Sequence, residues 1–285
     1  METAILLFFA LVIEFIYDPI SNMKSTFIIN EIYAKYTDIF KSYIRDKFYL
    51  NLLFPLLVII VIIFSTFLLT SFIHYIFSFL IYLIILIYCL KPNEYNQKME
   101  DLKFAIENKE DLSKDKRLQY LLSTTSSIYN TKLITDNLFY NSTRHIFSVL
   151  FWFLILGPAG SLGYIILDCI IYSDKIKIDQ KTSKELKNIL SIMEYLPIKF
   201  TALSFAIVGN FESSIHSWKQ SKQDSDLYKS NINFINLIGA SSSQSGILKD
   251  DELINKISYT QTIISRALLT WLSIVFLLII GGFFI

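Results

Sequence analysis

Cysteine and histidine are nearly missing from this sequence: 285 residues hold two cysteines and three histidines. Cys89 and Cys169 both sit inside apolar runs with no ligand-type neighbour at metal spacing, so they read as small buried residues rather than as part of a zinc site or disulfide framework. His74 and His216 stand alone. No GxSxG, HExxH, CxxC or Walker sequence occurs, so no catalytic constellation can be assembled and neither a metal nor a cofactor is expected. Charge is scarce as well. Asp, Glu, Lys and Arg make up 18% of the chain, below the ~25% usual for a soluble domain. With a net charge of +1 and no basic stripe interleaved with aromatics, a nucleic-acid partner is not expected.

What is abundant is apolar. Hydrophobic residues make up 53% and the mean hydropathy is +0.46. Five blocks stand out: Ala4–Tyr17, Leu52–Thr70, Phe72–Leu90, Val149–Tyr172 and Ile263–Ile285. They predict an all-α polytopic membrane protein, a single integral membrane domain over 1–285. About four transmembrane helices are expected, near 4–17, 52–70, 72–90 and 263–285, with a broken or re-entrant helix at 149–172 and cytoplasmic amphipathic helices. The first block has no basic residue before it and no small-x-small cleavage site after it, so it reads as a retained anchor. Asp18-Pro19 ends it, because the residue before proline is pushed out of helical geometry. At ~1.5 Å per residue a helix from Thr3 to Tyr17 reaches only about 22 Å, short of a ~30 Å hydrocarbon core.

The fourth block carries Gly157-Pro158-Ala159-Gly160 at its centre. Proline has no amide proton and clashes with the carbonyl four residues back, so the helix must kink or turn around there. Basic residues bear on the choice. The Lys and Arg residues fall within 18–50, 91–145 and 173–262, with Arg266 alone outside those stretches. The positive-inside rule then places all three loops in the cytoplasm and both chain ends outside. That arrangement requires Val149–Tyr172 to enter and leave on the cytoplasmic side, with Leu190–Phe211 as an interfacial helix whose apolar face holds Phe200, Leu203 and Ile207. The rival arrangement lets Val149–Tyr172 span and brings the chain back through Leu190–Phe211. It would put Lys175, Lys177, Lys181, Lys184 and Lys187 outside.

The loops offer little chemistry. Lys98–Arg117 interleaves acids and bases and reads as a solvent-exposed helix or helix pair. Ile238–Ile247 is Gly/Ser-rich and reads as a loop. Glu14 and Asp18 lie one turn apart at the cytoplasmic end of the first block; an acid there serves either as an anchor or in a functional role. Arg144-His145, just ahead of the fourth block, could hold a lipid phosphate or an anionic substrate, or simply anchor the loop. Asp168, inside that block, must be neutral or paired if buried.

The run Phe151-Trp152-Phe153-Leu154-Ile155-Leu156-Gly157-Pro158-Ala159-Gly160, followed by Tyr164, resembles the signature region of the AmpE family of inner-membrane proteins of Gram-negative bacteria. Leu196-Pro197-Ile198-Lys199-Phe200-Thr201-Ala202, then Gly209-Asn210-Phe211-Glu212 and Trp218, support the likeness, as do Glu14 and a last span preceded by Arg266. AmpE is similar in turn to the CobD/CbiB amide-forming synthases of cobalamin assembly. Those carry an E-N-T-x-D-G run before the hairpin and N-T-L-D after it. Here Asn141-Ser142-Thr143-Arg144-His145 and Ile166-Leu167-Asp168-Cys169 stand instead. The resemblance therefore implies a regulatory protein of the bacterial inner membrane, tied to β-lactamase induction and cell-wall stress signalling, with a CobD/CbiB-like amide-forming enzyme, or a diverged enzyme of that fold with another small-molecule substrate, as the alternative. Its partners would be membrane lipid and a small-molecule or protein signalling partner on the cytoplasmic face, and a homo-oligomer with a second copy is compatible with it. The ligand-binding candidates are Glu14, Asp18, Arg144, His145, Lys199, Asn210, Glu212 and Trp218.

Overall fold

The computed structural model describes residues 5–7, 9–11, 27–72, 75–90, 92–108, 131–173, 176, 178–221, 224–243 and 253–281. Glu14, Asp18 and His74 lie outside the described residues, as do 109–117 and 244–247. Helices are α1 (Phe27–Phe40), α2 (Lys47–Phe72), α3 (Tyr75–Cys89), α4 (Pro92–Glu107), α5 (Thr131–Ser142), α6 (Ser148–Tyr172), α7 (Gln180–Val208), α8 (Phe211–Gln220), α9 (Leu227–Ser242) and α10 (Leu253–Ile280), with a π-helical turn over Thr143–Phe147 between α5 and α6. No strand occurs among the described residues. The fold is all-α, and four helical runs are long and apolar enough to cross a membrane: Lys47–Ser65, Asn137–Tyr172, Gln180–Val208 and Leu253–Leu277. Asn137–Tyr172 encloses the expected block at 149–172, and Lys47–Ser65 and Leu253–Leu277 overlap those at 52–70 and 263–285. The block at 72–90 becomes the shorter α3, and 180–208 qualifies although the sequence placed an interfacial helix there.

The chain divides into two units. The first contains α1 to α3, α6 and the start of α7. Its centre is the broken helix α6, packed on α2 and α3. Gly157 has φ 64° and ψ −150°, outside helical geometry. In an unbroken helix Trp152 and Gly160 would be about 12 Å apart along the axis. Instead a Cβ on Gly160 would lie 2.4 Å from the Trp152 carbonyl oxygen and 2.7 Å from Leu156 Cβ. The chain doubles back at Gly157. The 36-residue run Asn137–Tyr172 is therefore not one straight rod: it has 20 residues before Gly157 and 15 after it, about 30 and 22 Å.

Two further contacts seat this hairpin. Gly163 lies against α2 so closely that a Cβ would meet Ile59 Cδ1 at 2.5 Å. At its far end Ser173 Oγ donates to Asn30 Oδ1 of α1 at 3.1 Å. Between α1 and α2, the Tyr33 hydroxyl donates to Asn51 Oδ1 and the Tyr36 hydroxyl to the Leu50 carbonyl at 2.9 Å. Burial, with Tyr36 alongside, pushes the Tyr33 phenol up to about 12. Directly before α7, Asp179 accepts from the Thr182 amide at 3.2 Å and its hydroxyl at 3.0 Å. Those bonds to Thr182, the amide's the larger, hold the Asp179 carboxyl below the usual carboxylate range. Cys89 and Cys169 are both buried free thiols.

The second unit contains α4, α5 with its π turn, the end of α7, and α8 to α10. Phe139 of α5 is its hub. The ring lies 5.1 Å from that of Phe205, and a Cβ on Gly239 of α9 would meet it at 2.4 Å. Phe147 packs on Phe205 and on Trp271, both at 5.8 Å between centroids. α4 buries Met99, Leu102 and Ala105, so the charged 98–108 stretch is amphipathic rather than exposed all round.

One expected loop is helix. Ile238–Ser242 completes α9, and Ser241, Ser242 and Ser243 are buried. Each returns its hydroxyl to a carbonyl three or four residues back, which satisfies the group that otherwise favours a turn.

Candidate functional site

The most polar buried element of the second unit is the end of α5 and the π turn after it. Asn137, Asn141 and Arg144 recur at helical spacing on one face. All three are buried, as are Ser142, Thr143 and His145; Arg144 is 4% exposed. A π turn inserts an extra residue into the helical ladder and is common at functional sites. The hydroxyls of Ser142 and Thr143 both donate to the Phe139 carbonyl, at 2.8 and 2.9 Å, so they support the turn. Arg144 and His145 each have an interaction partner within the structure, as burial of a guanidinium and of a polar ring demands.

Lys199 and Trp218, both expected at a site, are brought together. Lys199 Nζ lies 3.2 Å from the Phe234 ring centroid, 5.4 Å from the Trp218 ring and 5.5 Å from that of Tyr195. Trp218 stands edge-on to Phe234 at 4.9 Å. Three helices, α7, α8 and α9, thus surround one ammonium with rings. Asn210 and Glu212 do not join them. Asn210 caps α8, accepting from the Ser213 amide at 3.0 Å, while its own amide donates to the Ser242 carbonyl at 2.9 Å. Gly209 is needed beside it, since a Cβ there would lie 2.4 Å from the same carbonyl oxygen. Glu212 is exposed in the first turn of α8, where an acid favours the helix dipole.

In the first unit the structure adds a residue that sequence reasoning passed over. Glu194 of α7 is 1% exposed and accepts a hydrogen bond from the buried Tyr164 hydroxyl of α6 at 2.9 Å. Its signal was an acid inside the apolar stretch Ile192-Met193-Glu194-Tyr195-Leu196. Asp168, one turn beyond Tyr164, is buried too and has a partner. Among the described residues no group of three or more His, Cys, Asp and Glu side chains gathers as a metal site.

Comparison with known proteins decides the family. The family model described as "Regulatory signalling modulator protein AmpE" matches residues 9–284. The chain belongs to the AmpE family. No curated protein and no solved structure matches it. In this AmpE-family chain the residues that carried the likeness have distinct jobs. Gly157 to Gly160 form the reversal, Tyr164 reaches Glu194, Lys199 and Trp218 share the aromatic box, and Gly209-Asn210 sets the α7–α8 corner.

Proposed function

We propose that this protein is a multi-pass regulator in the bacterial inner membrane that modulates β-lactamase induction in response to cell-wall stress. The observation that carries the reading is the match to the regulatory signalling modulator family over residues 9–284. The apolar helices support residence in the bilayer, and the basic stretches 18–50, 91–145 and 173–262 favour loops on the cytoplasmic face. On that face a small molecule or a protein partner, a second copy included, would be received. The buried polar stripe of Asn137, Asn141 and Arg144 is the part best suited to relaying such an event, because buried polar networks have few alternative arrangements.

Deleting the gene and measuring β-lactamase induction and cobamide-dependent growth in parallel tests the reading. Altered induction with normal cobamide-dependent growth is expected. Intact induction with lost cobamide-dependent growth would replace it with a synthase of the CobD/CbiB kind.

A further inference from the structure

The ring box around Lys199 is open on one side. Tyr195 is 40% exposed and Phe234 only 6%, so the floor is closed and the rim accessible. Among the described residues no carboxylate pairs with Lys199, and its charge faces rings alone. Aromatic rings arranged this way attract any organic ammonium of similar size. Lys199 reaches the box on a flexible four-carbon stem and can leave it without moving a helix. Beside the box, Leu196, Phe200, Leu203 and Ile207 form an exposed apolar stripe along α7, each between 40% and 52% exposed. Tyr and Trp beside a Lys, at the edge of an apolar stripe, is the pattern of a membrane–water interface.

We propose that Tyr195, Trp218 and Phe234 form a site for a phospholipid with an ethanolamine headgroup. The lipid ammonium takes the box that Lys199 fills here, the released Lys199 ammonium pairs with the lipid phosphate, and an acyl chain covers Leu196, Phe200, Leu203 and Ile207. Two positive groups cannot share the box, and the exchange leaves both lipid charges matched. The inference rests on membrane residence and not on the signalling role.

The test is fluorine NMR of the full chain, labelled with fluorotryptophan, in phosphatidylglycerol vesicles with rising phosphatidylethanolamine. The three tryptophans give three signals, and a Trp218→Phe variant assigns the one that matters. The Trp218 signal is expected to move saturably with phosphatidylethanolamine while that of Trp271, packed on Phe147, stays. Tyr195→Leu and Phe234→Leu are each expected to raise the midpoint about tenfold. Tyr195, on the rim, keeps the test usable if the Phe234 variant does not fold. A Trp218 signal indifferent to phosphatidylethanolamine, or equally responsive in Tyr195→Leu, overturns the proposal and leaves the box a structural clasp. The same shift from free ethanolamine in phosphatidylglycerol vesicles would show an ammonium site that does not read lipid, and overturns it too. Failure to incorporate into vesicles would count against membrane residence itself.

Discussion

Two glycines three residues apart are needed for different reasons. Gly157, at φ 64° and ψ −150°, holds a positive-φ conformation open essentially to glycine alone, with nothing within 4 Å of a would-be Cβ, so Gly157→Ala meets only backbone strain, about 1–3 kcal/mol. Gly160→Ala drives a methyl into the Trp152 carbonyl, where overpacking costs typically 1–3 kcal/mol or more and the obstacle is backbone. Gly160→Ala should therefore be the more damaging in an unfolding titration; the opposite order would mean that conformation, not closeness, governs the reversal. Tyr164→Phe leaves the buried Glu194 carboxyl without that donor and should cost about 1–3 kcal/mol in the same assay. The glycines were legible because Gly-Pro-Ala-Gly has few uses inside an apolar run. Glu194 was not, because its partner Tyr164 lies thirty residues away and an acid inside a five-residue apolar stretch does not by itself say what it meets. The role of Lys199 was hidden likewise: a lysine in sequence reads as a free cation, and Phe234 is reached only through the fold.

At the scale of the element, helix ends carry the sharper expectations. Asn210→Ala removes the cap of α8 and should cost about 1 kcal/mol, seen as lost helicity and earlier melting; Asn210→Asp should retain most of it. Asp179 starts α7, and its carboxyl is held low by Thr182. The sign follows: its contribution is present above the unfolded carboxylate range and disappears as pH falls through the lower folded value. The wild type should lose stability on acidification more steeply than Asp179→Asn. Equal acid limbs in thermal melts at pH 7 and pH 3 would assign the effect elsewhere. The Lys47–Asp179 pair, 3.8 Å apart and exposed, should matter little to either. Helix type was readable from the length of the apolar blocks, but boundaries were not. Ile238–Ser242 looks like a loop because serine and glycine favour turns in isolation; in place, Gly239 is required by the Phe139 ring and the serines bond back to their own helix, so packing overrides local preference.

For the molecule as a whole, the membrane class followed from composition, since few other classes combine 53% hydrophobic residues with 18% charge, and the all-α class from the long apolar blocks. The path through the bilayer depends on the reversal in α6. If all three basic stretches lie in the cytoplasm, as the positive-inside rule expects, a reporter active only outside should be active after Ile285 and silent near Lys181; activity at Lys181 would mean that the fourth block crosses. The reversal has a consequence in time. The arm after Gly157, 158–172, reaches only about 22 Å and cannot hold itself across a ~30 Å hydrocarbon layer, so it depends on a cradle, and the cradle of α6 is α2 and α3. Both leave the ribosome before α6 does. Vectorial synthesis thus delivers the seat before the part that must sit in it, and a circular permutant in which α6 is translated first should be recognised as unassembled and degraded.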